Sequence, residues 1–258
     1  MAKIKYSTGE HLFDTLNIGI LFLLMVTIIF PYLYVFLVSV SNQTSIHLMF
    51  AEGNKWTIEA YRRIFSKDSG LITAFGISVA RTLVGTFLNL FFTALLAYPI
   101  SRRHFPAKNR ITVFLVITIL FNGGLIPSYL VISTLKLINS FWVYIIPGLI
   151  SAWNCIILRN FYMAIPDSME ESAKIDGASD WLVLFKIIIP LSFPALATLS
   201  LFYAVSHWNA WFDAIIYIRN PKKYTLQVFL RRLVMENADM KEMTGMDQDD
   251  PLKMLTLE

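Results

Sequence analysis

The side chains best suited to hold a polar ligand lie in one apolar run in the last quarter of the chain. Asn209 and Asp213 are four residues apart, so on a helix they share a face, and Trp208 and Trp211 lie close by in sequence. Aromatic rings stack on the apolar faces of sugar rings, while amides and carboxylates bond their hydroxyl groups. An ionisable residue in an apolar span indicates a functional site. For the aromatic residues, the alternative is a belt at the membrane surface.

A polar stretch between two apolar runs is the second feature. Residues 171–178 read Glu-Ser-Ala-Lys-Ile-Asp-Gly-Ala, and Ile-Ile-Ile-Pro follows at 187–190. A glutamate followed six residues later by a glycine is weak evidence alone. The downstream proline and the apolar runs on both sides make the pattern specific.

The same stretch carries signals for two short helices joined at a corner. Capping-box spacing occurs twice, at Asp167 with Glu170 and at Ser168 with Glu171, and either pair predicts a helix start. Gly177 is suited to the left-handed backbone that ends a helix. A second helix is expected to begin after it and to run into the membrane, with Pro190 at the junction.

The composition is that of an integral membrane protein. Of 258 residues, 56% are hydrophobic and 16% are charged, whereas soluble domains have about 25% charged residues. The net charge of +4 does not indicate a nucleic-acid partner, because Lys and Arg cluster at the ends of apolar runs. The single cysteine excludes an intrachain disulfide.

The fold predicted from these runs is an all-α membrane protein. A bilayer core of about 30 Å needs roughly 20 apolar residues in a helix. Five spans meet this requirement: 16–40, 71–100, 111–135, 141–164 and 190–218.

The positive-inside rule sets the orientation of these spans. Lys3 and Lys5 precede the first span, and four Lys or Arg residues lie at 102–110 between the second and third. Both regions are therefore expected in the cytoplasm, as is 165–189, whereas 219–258 is expected outside. Arg81, near the outer end of the second span, is expected to extend to the membrane surface; a role in the substrate path is the alternative.

The 171–178 stretch with Pro190 resembles the EAA loop of ABC importer permeases. Runs at 9–14, 80–86, 97–100, 121–127 and 206–212 are similar to carbohydrate-uptake permeases of the maltose type. The similarity is closest to the subgroup that imports oligosaccharides and polysaccharides. It implies one transmembrane domain over 1–258, with a cytoplasmic coupling loop at 165–190, in the bacterial cell membrane. Such permeases usually have a sixth span, which we interpret as missing here; a true five-span protein is the alternative.

The resemblance also implies roles for individual residues. The residues that would couple the loop to an ATPase are Glu171, Ser172, Ala173, Asp176, Gly177 and Pro190, with Ser172 where the family has alanine. The residues that would line the substrate path are Asn122, Gly123, Gly124, Trp208, Asn209, Trp211 and Asp213. Non-helical backbone at 122–124 suits a cavity or hinge; close helix packing at the glycine pair is the alternative.

The partners follow from what the chain lacks and from the resemblance. Its sequence has no P-loop, metal-ligand or hydrolase motif, so we expect no enzyme activity, metal or bound cofactor. The resemblance implies separate ATPase subunits that bind ATP, a second homologous permease and an extracytoplasmic sugar-binding protein, all within membrane lipid. An importer of another solute, a channel or scaffold that needs no ATPase, and a membrane-embedded enzyme are the alternative functions.

Overall fold

In a computed structural model, the described residues (8–41, 56–66 and 70–244) are predominantly helical. The helices are α1 Thr8–Ser39, α2 Glu59–Ile64, α3 Leu71–Ser101, α4 Lys108–Leu120, α5 Leu125–Thr134, α6 Ala152–Ala164, α7 Asp167–Ile175, α8 Asp180–Leu191, α9 Phe193–Asn209, α10 Phe212–Tyr217 and α11 Leu226–Thr244. Short 3₁₀ turns occupy Phe141–Tyr144, Ile146–Gly148 and Pro221–Lys223. Within the described ranges, extended backbone pairs only at an isolated bridge between Ser41 and Trp56. The all-α prediction is confirmed.

By packing, the chain divides into two units: Met1–Ser69 with Lys241–Glu258, and Gly70–Met240. In the first unit, the Ser39 and Tyr61 hydroxyls lie 2.7 Å apart and connect α1 to α2. The apolar side chains of α1 are exposed, as expected for a helix whose solvent is lipid.

Two helices are long and apolar enough to cross a membrane alone, Phe13–Ser39 and Leu71–Ser101. They confirm the first two predicted spans. The other three are bent helix pairs, so up to five spans result if each pair crosses once. The bends are 120° between α4 and α5, 52° between the 3₁₀ turns and α6, and 82° between α8 and α9.

The interruption expected at 122–124 is present, and spans four and five are also bent; each break has a local cause. Between α4 and α5, Gly124 has a φ of 82°, which favours glycine. Pro147 and Gly148 keep the start of the fourth span in 3₁₀ turns. Pro194 lies in the first turn of α9, where proline starts a new helix.

Helix α3 is the centre of the second unit and packs against α9 and α6. Its closest approach to α9 is at Gly85, where a Cβ atom would lie 2.5 Å from Nε2 of His207. Further along the two helices, the Thr93 and Tyr203 hydroxyls are 2.8 Å apart. A glycine and two matched hydroxyls thus allow α3 and α9 to pack closely.

Two hydrophobic clusters lie along this unit. One surrounds the second half of α3 and includes Ile100, Leu158 and Ile188. The other surrounds the 3₁₀ turns and α10 and includes Tyr144 and Val228. The first cluster supports the 165–190 segment, and the second supports the aromatic residues that follow α9.

Candidate functional sites

The 165–190 segment has the predicted form of two helices and a glycine corner. Helix α7 ends at Ile175, and Gly177 follows with a φ of 85°. The Ala178 amide donates to the Ala173 carbonyl at 2.9 Å, and the Gly177 amide donates to the Lys174 carbonyl at 3.0 Å. These two bonds form a Schellman motif, which satisfies carbonyls left open at a helix end.

Helix α7 begins in the predicted region, but the predicted side-chain cap is absent. Pro166 is the residue before the helix, and no side chain accepts a hydrogen bond there. Neither Asp167 nor Ser168 closes a capping box, because Asp167 already lies within the helix and Glu170 is engaged elsewhere. The start of α8 is capped by a side chain: Oγ of Ser179 accepts from the Leu182 amide at 3.4 Å.

Glu170 is buried, and its carboxylate has three partners. Its side chain lies 3.1 Å from Nη1 of Arg102 and 2.8 Å from Nζ of Lys174. The Tyr98 hydroxyl donates to it at 3.2 Å. Tyr98 and Arg102 belong to the end of α3, so these bonds hold α7 against that end. Nothing in the sequence pattern distinguishes Glu170 from its neighbour Glu171 in this respect.

Lys174 continues the network across the glycine corner. Its ammonium group lies 3.1 Å from Oδ1 of Asp180, in the first turn of α8. The hydrogen bonds to Glu170, and then those to Asp180, raise the pKa of Lys174 above its ordinary value. The lysine therefore stays charged throughout the neutral pH range and bridges α7 to α8.

Three other polar residues in or just after α7 take no part in these ion pairs, although Glu171 lines the same cleft as Glu170 and Lys174. Glu171, Ser172 and Asp176 are exposed, and the side chain of Glu171 pairs with no residue that the structure describes. Ile175 is apolar yet 87% exposed. Ala173, by contrast, packs against the first hydrophobic cluster, and Pro190 lies exposed in the last turn of α8.

Arg81 does not extend to the membrane surface as predicted. It is only 3% exposed, and its guanidinium group forms a two-pronged ion pair with Asp213, one contact of which is 3.1 Å. The Tyr144 ring lies 4.6 Å below the guanidinium carbon, and the Ala210 carbonyl accepts a further bond at 3.3 Å. Burial of one charge requires an opposite charge, so Asp213 is a partner of Arg81 and not a free carboxylate.

The remaining candidates after α9 have separate surroundings. Asn209 is exposed, while Trp208 meets Phe75 edge to face at 6.2 Å. The Trp211 ring supports the Arg231 guanidinium at 3.9 Å. The structure therefore brings Asp213 to Arg81, but it does not gather these four predicted residues into one closed pocket.

The 122–124 stretch is an open turn. The Gly124 amide donates to Oδ1 of Asn122 at 2.9 Å, and all three residues are exposed. A Cβ atom on Gly123 would meet only Pro127, at 3.7 Å, and one on Gly124 would meet nothing within 4 Å. Close packing of other helices at this glycine pair is thus not present among the described residues; the glycines make the bend.

The two ion pairs with a buried member, Arg81–Asp213 and Arg102–Glu170, were not predicted from the sequence. The first carried a signal: both are ionisable residues inside apolar spans, and such residues usually pair. The second carried no such signal, because Arg102 and Glu170 are far apart in sequence and each has other charged residues beside it.

Comparison with known proteins identifies the family to which this chain belongs. The family described as binding-protein-dependent transport system inner membrane component matches residues 69–228. The polygalacturonan/rhamnogalacturonan transport system permease protein YtcP of Bacillus subtilis is 39% identical over 94% of this chain and 85% of its own length. Arabinooligosaccharides transport system permease protein AraQ of Halalkalibacterium halodurans is 26% identical over 90% of this chain and 85% of its own.

A solved structure shares both sequence and fold. A chain from a bacterial ABC transporter involved in the import of the acidic polysaccharide alginate superposes with a TM-score of 0.83 at 30% identity. The match covers 91% of this chain and 84% of that one. The resemblance seen in the sequence is thus confirmed at the level of family and fold. This chain belongs to the family of binding-protein-dependent transport system inner membrane components, and it is a membrane subunit of a transport system, not an enzyme.

Proposed function

We propose that this chain is a permease subunit of an ABC importer for an oligosaccharide in the bacterial cell membrane. A second, homologous permease completes the membrane path, and an extracytoplasmic sugar-binding protein delivers the solute. Separate ATPase subunits bind and hydrolyse ATP. The relatives named for polygalacturonan, rhamnogalacturonan and arabinooligosaccharide transport support an oligosaccharide as the solute.

The observation that carries the proposal is the division of side chains on α7. Glu170 and Lys174 hold the helix to the protein's own charges, whereas Glu171 is exposed. An exposed carboxylate beside the 87% exposed Ile175 suits a partner groove with a basic residue and an apolar wall. In this proposal that groove belongs to the ATPase, and the segment 165–190 receives its motion on the cytoplasmic side.

We further infer that the oligosaccharide is acidic. Two similar proteins are named for acidic sugars: YtcP for polygalacturonan and rhamnogalacturonan, and the structural neighbour for alginate. The segment predicted to lie outside is 219–258; its first part, 219–232, has five Lys or Arg residues and no Asp or Glu, whereas 233–258 has two Lys and seven Asp or Glu residues. A basic surface at the entrance of a path raises the local concentration of an anionic solute.

The proposed path runs past the aromatic residues after α9. Trp208, Asn209 and Trp211 supply the ring faces and the amide that sugars require. Asp213 shapes this region by its bond to Arg81 instead of contacting solute. The open turn at 122–124 gives a second place where non-helical backbone meets the path.

The test is isolation of the full chain from its native membrane in gentle detergent. We expect a P-loop ATPase and a second permease to co-purify, and Glu171→Lys to release the ATPase while the second permease stays. Glu59→Lys is the matched control, since Glu59 is a glutamate of α2 on the predicted outer side. Recovery of the chain alone would favour the channel or scaffold, and an ATPase that stays bound to Glu171→Lys would refute this docking residue.

A further inference from the structure

The charged side chains around the buried Glu170 join three helices. Glu170, on α7, is 8% exposed and contacts Arg102 at the end of α3. Lys174, also on α7, contacts both Glu170 and Asp180 at the start of α8. Helix α7 is therefore attached to α3 by side chains and to α8 both by the chain and by an ion pair.

Two ion pairs connect α7 to the end of α3, and the one between Arg102 and Glu170 is the stronger. The side chains of Arg102 and Glu170 are 13% and 10% exposed, and the Arg102 guanidinium lies 5.0 Å from the Tyr98 ring centre. Arg103 and Asp167 also pair, at 3.4 Å, but their side chains are 81% and 50% exposed. An exposed pair contributes little, whereas loss of one partner from a buried pair leaves an uncompensated charge.

We propose that Glu170 and Arg102 are positioning residues that make α7 move as one body with α3. Motion delivered to α7 then reaches the second span directly, and not only through the glycine corner and α8. Since α3 packs against α9 and α6, one push is distributed to three spans. This inference rests on the proposed coupling function of the 165–190 segment, but it concerns a different residue from the docking glutamate Glu171.

An ion pair and a cleft beside the Gly177 corner are consistent with this role. The Lys174–Asp180 pair spans the Gly177 turn and connects α7 to α8, but its side chains are 48% and 70% exposed, so it adds little to the corner itself. The cleft of about 420 Å³ between the end of α3 and α7 is lined by the same charged residues, including Arg102, Glu170 and Lys174, and also by the exposed Glu171. Packed elements connected in this way switch between discrete arrangements instead of deforming smoothly.

The experiment uses the assembly that co-purifies with the full chain, reconstituted in lipid vesicles. ATP hydrolysis and solute uptake are measured together for Glu170→Gln and Arg102→Gln, and the amount of bound ATPase is recorded. We expect the ATPase to stay bound and to hydrolyse ATP, while uptake per ATP falls at least about fivefold, the lower end of measured coupling between sites.

Asp167→Asn is the matched control, because it breaks the exposed pair between the same two elements and should leave uptake per ATP unchanged. If Glu170→Gln does not accumulate in the membrane, Glu170→Asp keeps the charge, withdraws it by one methylene and should give a smaller loss. Unchanged uptake per ATP in the Glu170 variants would overturn the proposal. Release of the ATPase by Glu170→Gln would also overturn it, by placing Glu170 in the docking face. Failure of Glu171→Lys to release the ATPase is a separate result, which bears on the proposed function.

Discussion

At the residue scale, adjacent glutamates of one helix have opposite surroundings. Glu170 is surrounded by Arg102, Lys174 and the Tyr98 hydroxyl, whereas Glu171 is exposed. Successive helix residues lie about 100° apart around the axis, so one can face the protein while the next faces a partner. The same charge therefore serves for internal attachment at one position and is available for docking at the next.

The Arg81–Asp213 pair gives a residue-scale prediction. We expect Arg81→Leu to lower the stability of the purified protein by about 1–3 kcal/mol, because it leaves the half-buried carboxylate of Asp213 without its partner. The double variant Arg81→Leu with Asp213→Leu should be more stable than Arg81→Leu alone, since it removes both charges. Thermal unfolding in one detergent measures all three proteins.

Arg110→Leu is the control for this series, because Arg110 is an exposed arginine on α4 and its loss should change stability little. Equal destabilisation by the single and double variants would show that the packing of the side chains, and not their charge, is what α3 and α10 require.

At the scale of elements, the Gly177 corner sets the angle between α7 and α8. Gly177→Ala should weaken the corner by about 1 kcal/mol, because a left-handed backbone is unfavourable for residues with a Cβ atom. No atom within 4 Å blocks the new methyl group, so the effect comes from the backbone alone. Gly177→Pro should abolish uptake, since it also removes the amide that donates to the Lys174 carbonyl.

The measurement is solute uptake normalised to the amount of protein in the membrane. Gly76→Ala is the control, because Gly76 lies in α3 without a neighbour within 4 Å or a positive φ, so the same change should be tolerated. Wild-type uptake by Gly177→Pro would refute the coupling role of this corner.

Elements were predictable from sequence to the extent that their causes are local. The first two spans follow from their apolar length. The glycine corner follows from a position that needs left-handed backbone, and the Ser179 cap follows from a short polar side chain before a helix. Non-helical backbone was expected at 122–124, but the bend angles of 120° and 82° were not predicted, because hydropathy measures apolar length and not direction. The Arg102–Glu170 contact was also unpredictable, since it depends on how α3 and α7 pack and not on either sequence alone.

At the scale of the whole molecule, charge is distributed unevenly between loops. The segment 219–232 has five basic and no acidic residues, whereas 165–189 has two Lys against five Asp or Glu residues. The positive-inside rule would instead favour more basic residues in 165–189, predicted inside, than in 219–232, predicted outside. A basic segment that opposes the topology signal indicates another use, which in our proposal is attraction of an acidic solute.

Attraction of an acidic solute by this basic segment can be tested at two arginines. Two residues of this segment, Arg231 and Arg232, are exposed and rest on the rings of Trp211 and Tyr224. Arg231→Gln with Arg232→Gln should slow the uptake of an oligogalacturonide about tenfold at low ionic strength, because steering by surface charge has effects of this size. The difference should shrink at high salt, where surface charges are screened, and uptake of a neutral galacto-oligosaccharide, where the assembly carries it, should be unaffected. Arg110→Gln, an exposed arginine on the predicted cytoplasmic side, is the control. Equal slowing of both solutes would assign the two arginines to packing, and transport of the neutral sugar alone would refute an acidic substrate.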